Sequence, residues 1–193
     1  MTFRIPEGLH WWAIRTKANF EKTVFAQLTN RQFEAFLPTY KTYSRRKDRR
    51  AIVSLPLFPG YVFLHSNLTD RERRVGVMQT RGMVQILGGP EGPLPVRDHE
   101  ITSLQVMCNS DRMLEPLGRI ERGKTVRIVS GGLAGVIGIV AEIKGKGRRI
   151  ICNVNLLGRA VAAESASGGS LRTRRRMSRF RRILEKVITH LFI

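Results

Sequence analysis

Residues Ser54–His65 read SLPLFPGYVFLH, a Pro-Gly pair set inside a run of large apolar side chains. Proline presets the backbone of a turn and glycine supplies the positive φ that ends it, so the chain turns at Pro59-Gly60 and enters a strand over Tyr61–His65. Side chains on a strand alternate with period two. Tyr61 and Phe63 therefore share one face, and Val62 and Leu64 point the other way, into a core. An aromatic set of Phe58, Tyr61 and Phe63 with one polar handle suits a pocket at a protein interface, where tyrosine is enriched. The competing reading buries both faces under helices.

Working outward, Trp11–Thr16 (WWAIRT) has the aromatic and β-branched character of a strand, and a helix follows it. Asn19 is the expected N-cap, and Phe20, Val24, Phe25 and Leu28 recur at helical spacing until Thr29-Asn30. Phe36–Tyr40 reads as one edge strand, because Pro38 cannot donate to a central ladder. The basic segment Lys41–Arg50 then forms the tip of a hairpin that returns through Ala51–Leu55. A short helix is expected over Asp70–Gly76, a strand over Gly82–Leu87, and a helix capped by Asp98 with Ile101, Leu104, Met107 and Cys108 on one face. Strands interleaved with helices predict an α+β domain, an antiparallel sheet flanked by helices, over residues 8–110. Residues 111–122 read as a linker. Beyond it, short β-branched runs separated by glycines predict a small all-β barrel over 123–164. Residues 165–193 form a basic tail with helical spacing of Met177, Phe180, Leu184, Val187 and Leu191. Self-packing, an arginine-rich motif folding on RNA and an interfacial membrane helix all fit that tail.

The 193-residue chain carries 34 Lys and Arg against 15 Asp and Glu, a net charge of +19. That excess points to a polyanionic partner, nucleic acid before an anionic membrane. Two segments concentrate it: Lys41–Arg50 has six basic residues and one acid, and Ser165–Ile193 has eight and one. Cys108 and Cys152 are far apart in sequence and outside any C-x-x-C pair, which fits a reduced, cytoplasmic chain. The N-terminus lacks a signal-peptide pattern, and no run approaches the ~20 apolar residues of a transmembrane segment. His10, His65, His99 and His190 are scattered, so neither a metal site nor a cofactor is expected. GGLAGVIG, Gly131–Gly138, lacks the Lys-Ser/Thr ending of a phosphate loop. No catalytic constellation emerges, and a binding protein is expected rather than an enzyme.

WWAIRTKANFEK (from Trp11), FLPTY (from Phe36), LPLFPGYVF (from Leu55), TRGMVQILGG (from Thr80), RGKTVRIVSGGLAGVIGIVAEI (from Arg122) and NLLGRAVAAE (from Asn155) occur in that order. Over residues 10–164 this series resembles the NusG family of transcription elongation factors, and its wording is similar to the specialised RfaH, LoaP and UpxY branch. The resemblance implies an N-terminal NGN domain that docks on the clamp helices of bacterial RNA polymerase and a C-terminal KOW barrel that recruits other proteins. The implied activity is suppression of pausing or termination.

By the same resemblance Phe58, Pro59, Tyr61 and Phe63 match the hydrophobic depression that receives the clamp helices. Arg73 and Arg74 fall near a loop that touches the opposite side of the polymerase. Lys17, Lys22, Thr80 and Arg81 match the surface that faces the non-template DNA strand. Gly135 matches the KOW glycine, expected where a side chain would clash. Leu157 matches a position offered to a ribosomal protein or to the termination factor Rho. The tail has no counterpart in the family. The alternative to this reading is a KOW-type RNA-binding protein of the ribosome.

Overall fold

The computed structural model describes residues 5–43, 51–110, 112, 114–118, 124–129, 131–143, 147–164 and 171–173. In the first half, β1 (His10–Thr16) leads to α1 (Glu21–Asn30), β2 (Glu34–Phe36), β3 (Thr39–Tyr43), β4 (Ile52–Pro56) and β5 (Tyr61–Ser66). Then come α2 (Arg71–Met78), β6 (Met83–Ile86), the short strands β7 (Gly88–Gly89), β8 (Gly92–Pro93) and β9 (Pro95–Val96), and α3 (Asp98–Asn109). The main sheet is antiparallel in the order β2-β5-β1-β6, with β9 also paired to β1.

Burial follows the period-two rule on this sheet. Trp12 and Ile14 of β1 and Val62 and Leu64 of β5 meet Val24 and Leu28 of α1 and Val77 of α2 in one core. Trp11, Ala13 and Phe63 point to the other face, where Ile101, Leu104 and Met107 of α3 cover them. The Trp12 indole donates from this dry interior to the Ser66 carbonyl over 2.8 Å, which satisfies the only polar atom of its ring.

Several local expectations need correction. The stretch Phe36–Tyr40 is two strands, because Pro38 breaks the pairing: β2 joins β5, while β3 leaves to form a separate hairpin with β4. Of the expected basic tip Lys41–Arg50, Lys41–Tyr43 belong to β3, and residues 44–50 lie outside the described residues. Asn19 is not the cap of α1. It takes a left-handed φ of 62°, a region asparagine tolerates, and the helix opens at Glu21 after Phe20. Asp98 is the first helical residue of α3 rather than its cap, which places its charge at the positive end of the helix dipole. Asp70, expected as the first residue of its helix, is instead the cap of α2, accepting from the amides of Glu72 and Arg73 at 2.9 and 3.2 Å.

The second half is all β: β10 (Leu114–Gly118), β11 (Lys124–Ile128), β12 (Ile137–Ile143), β13 (Gly147–Val154), a 3-10 turn (Asn155–Leu157), β14 (Arg159–Glu164) and β15 (Leu171–Thr173). These form one antiparallel sheet in the order β10-β14-β13-β12-β11-β15. The segment expected as linker thus supplies β10, which satisfies the outer backbone of β14. Its Pro116 is tolerated because β10 is an edge strand. Part of the expected helical tail, Leu171–Thr173, is a strand paired to β11. Residues 174–193 lie outside the described residues.

Gly135 is glycine for a different reason from the one expected. A Cβ added there meets nothing within 4 Å, but its φ is +93°, which closes the turn where its amide donates to the Ile128 carbonyl at 2.9 Å. The clash belongs to Gly138, where a Cβ would stand 2.6 Å from the Ile151 carbonyl oxygen on the neighbouring strand. Gly138→Ala is expected to cost about 1–3 kcal/mol through forced strand separation. Gly135→Ala should cost about 1–2 kcal/mol, and Gly135→Asn less than that. Urea unfolding checks both, and a Gly138→Ala midpoint equal to wild type would contradict the packing described.

Candidate protein-docking face

The side of β5 that carries Tyr61 and Phe63 forms an aromatic platform. Phe58 meets Phe63 edge-on with ring centroids 5.9 Å apart, and Phe36 stacks on Phe63 at 6.3 Å across the β2–β5 register. The turn that presents it is braced from below. The Glu21 carboxylate, buried at the start of α1, accepts from the Gly60 amide at 2.6 Å, and Gly60 holds a φ of +85°. Pro59 is exposed, Tyr61 half-buried, and Phe58 and Phe63 are 1% and 0% exposed.

The C-terminal sheet covers the platform. One continuous apolar cluster runs from Phe58, Phe63 and α3 to Val126, Ile150, Cys152 and Val161 of the sheet. Six polar contacts stitch its borders. Arg159 of β14 places its guanidinium 5.6 Å from the centre of the Tyr61 ring and donates to the Pro59 carbonyl at 3.5 Å. Glu100 of α3, 3% exposed, accepts from the Asn155 side-chain amide at 2.6 Å and from its backbone amide at 3.3 Å. The Ser103 hydroxyl accepts from the Ile137 amide at 3.0 Å. The Cys152 thiol donates to the Glu100 carbonyl at 3.8 Å. Burial, then the charge of Glu100, push that thiol up to about 12, and burial pushes Cys108 up to about 11, so both stay protonated near neutrality. Leu157, expected to meet a partner protein, packs with Leu156 against this same cluster.

The other expected site residues are elsewhere. Lys17 and Arg81 stand together where β1 runs out: the Lys17 amide donates to the Gly82 carbonyl at 2.8 Å. Gln27 of α1 clasps Arg81 through its backbone, donating to its carbonyl at 3.1 Å and accepting from its amide at 3.3 Å. Lys22 is exposed on the first turn of α1. Thr80 is 3% exposed, and its hydroxyl donates to the Gly76 carbonyl at 3.3 Å, so it shapes the turn that presents Arg81. Arg73 and Arg74 are on α2, which packs on the opposite face of the sheet from Tyr61 and Phe63. Arg73 lies 5.9 Å over the Phe33 ring, and Arg74 donates to the Leu68 carbonyl at 3.3 Å. Among the described residues no group of three His, Cys, Asp or Glu side chains stands ready to hold a metal. No described helix is long and apolar enough to cross a membrane.

Glu100, Ser103, Asn155 and Arg159 escaped the sequence reading. One signal was available: Glu100 occupies the stripe of Leu104 and Met107 at helical spacing, an acid on an apolar face that requires a partner.

The chain is similar in sequence to known proteins along most of its length. The chain is 28% identical over 174 residues to the transcription termination/antitermination protein NusG of Thermus thermophilus, covering 81% of this chain and 95% of that one. The Pseudomonas aeruginosa protein of the same name is 26% identical over 164 residues, covering 80% and 93%. A solved structure described as the domain interaction in Thermotoga maritima NusG is similar at 20% identity and a TM-score of 0.49, covering 84% of this chain and 97% of that one. The family described as NusG, transcription termination factor nusG, matches residues 9–105, half of the chain, and the protein belongs to that family.

Proposed function

We propose that this chain is a transcription elongation and antitermination factor that docks through Phe58, Pro59, Tyr61 and Phe63 onto the clamp helices of bacterial RNA polymerase. The observation that carries this reading is the aromatic platform itself. It is contiguous, rigidly braced by Glu21, and covered by a surface of the same chain that is pinned with polar contacts rather than fused to it. A partner that prefers the uncovered state shifts the population toward it by its differential affinity. Bound there, the domain favours the closed, elongating polymerase over the paused one and performs no chemistry.

The remaining residues fit around that contact. Lys17, Lys22 and Arg81 supply cations for the phosphates of the non-template strand, with Thr80 positioning Arg81. Arg73 and Arg74, on the far face of the sheet, suit a second polymerase element and so a bridge. Leu157 becomes available to a ribosomal protein or Rho only when the C-terminal sheet leaves the platform.

In single-round transcription through a pause-rich template, wild type should shorten pauses or increase read-through. Tyr61→Ala should lose most of that effect while leaving the thermal midpoint within a few degrees. An active Tyr61→Ala protein sinks the docking face, and an inert wild type sinks the whole reading.

The covering sheet is tested through Cys152 in a Cys108→Ser background. Cys152 is 1% exposed and burial raises its thiol, so labelling of the closed form should be slow near neutrality. Glu100→Ala or Asn155→Ala removes the pin, and labelling should accelerate about tenfold or more at fixed pH, the equivalent of about 1.4 kcal/mol. Unchanged labelling in both variants would show that these contacts do not hold the interface.

A further inference from the structure

We propose that Arg15, beside Tyr61 on the docking face, binds a carboxylate of the polymerase surface that covers the platform, and that this pair favours the docked state over the closed one. The assignment rests on the docking face proposed above and adds the chemistry its partner must carry.

By period two, Arg15 shares a face of β1 with Trp11 and Ala13. Its cross-strand neighbours are Tyr61 on β5 and Gln85 on β6, so it lies in one row with the tyrosine, the β-carbons about 5 Å apart. Tyr61 thus meets two arginines, Arg15 beside it in the sheet and Arg159 of the cover, 5.6 Å from its ring centre. They differ in what holds them. Arg159 lies over the ring and donates to the Pro59 carbonyl, whereas Arg15 is exposed and, among the described residues, its side chain has no hydrogen bond or ion pair. The acids around this face are committed: Glu21 accepts from the Gly60 amide, Glu34 pairs with His65 at 2.6 Å, and Glu100 accepts from Asn155.

Docking changes the surroundings of Arg15. A protein that covers Tyr61 covers the arginine in the same row, and a guanidinium stripped of water without a counter-charge is strongly unfavourable. A carboxylate removes that penalty, because the planar fork of arginine engages both its oxygens. Apolar or basic surface at the same point is rejected. In the closed molecule the described cover brings a like charge, Arg159, to the same tyrosine. The pair formed on docking therefore acts as differential affinity for the docked state. A phosphate is the other anion that suits an arginine. Lys17 and Arg81 stand where β1 runs out, whereas Arg15 lies in the row of Tyr61, within the footprint of a protein on the platform, and this favours the carboxylate.

The test measures the affinity of the full chain for purified bacterial core RNA polymerase across a potassium chloride series. Arg15→Gln should weaken binding about tenfold at low salt and flatten its salt dependence, and Arg15→Lys should recover part of the loss. The melting temperature of the free Arg15→Gln chain should move by less than about two degrees, because the side chain is exposed. Arg159→Gln removes the same charge but loosens the cover, so it should bind as tightly as wild type or more tightly. Equal weakening by Arg15→Gln and Arg159→Gln would reduce the effect to net charge and overturn the proposal. Wild-type affinity in Arg15→Gln, with Tyr61→Ala defective, overturns it while leaving the docking face intact. Loss of single-stranded DNA binding in Arg15→Gln with polymerase binding unchanged assigns the residue to nucleic acid and also overturns it. A wild-type chain that does not bind polymerase removes the docking face and this pair together.

Discussion

The architecture depends on strand β5 having no face turned to water. Val62 and Leu64 enter the core beneath α1 and α2, and Phe63 enters the core that α3 and the C-terminal sheet share. Period-two alternation therefore links two cores through a single strand: whatever fixes its register fixes both. The register comes from six cross-strand partners on β1, from His10 with Ser66 to Arg15 with Tyr61, and from the turn at Pro59-Gly60. Slipping by one residue would turn Phe63 into the helix-side core and strip the platform of its centre. The Glu21 carboxylate on the Gly60 amide guards against that slip at the end of the strand where the platform begins.

The surface that covers the platform is mixed in character, and the division matters. Its centre is apolar, where Phe58, Met107 and Val161 exclude water, and its border is polar, with Glu100 on Asn155 and Arg159 over Tyr61. The border supplies orientation. A carboxylate that must receive both the side-chain and backbone amides of Asn155 admits one placement of the 3-10 turn, whereas an apolar centre alone tolerates sliding. Cys152 lies between the two zones, with its thiol directed at α3 and its acidity suppressed by the same burial that marks the interface.

Much of this was legible in the sequence, and the failures share a cause. The alternation in Tyr61–His65, the apolar stripe of α3 and the glycine-spaced strands after residue 123 are local patterns that report their own burial. Asp70, read only as the start of a short helix, caps α2 through partners two and three residues away. Asn19 failed as a cap because its backbone takes a left-handed φ of 62° and the helix opens two residues later, at Glu21. The strands Leu114–Gly118 and Leu171–Thr173 were read as linker and tail because an edge strand needs only backbone groups, and Pro116 or Arg172 says nothing against pairing there. Phe58 and Phe63 were legible as an aromatic set, but not as a covered one. Their cover comes from residues nearly a hundred positions away, and no local period encodes a contact at that range.

Opening the interface in water and opening it against a partner are different processes. When the sheet leaves, Glu100 and Asn155 exchange each other for water, and the net loss is about 1–3 kcal/mol because one member is charged. The aromatic centre has no such exchange: each large side chain returned to water costs roughly 1.5–3 kcal/mol. The apolar term therefore dominates the closed state, and only a surface that covers Phe58, Tyr61 and Phe63 again can cancel it. Water, salt and small polar ligands cannot, and a partner of the wrong shape cancels only part. In the closed molecule the polar rim sets where the sheet sits, while the aromatic centre supplies most of what holds it there.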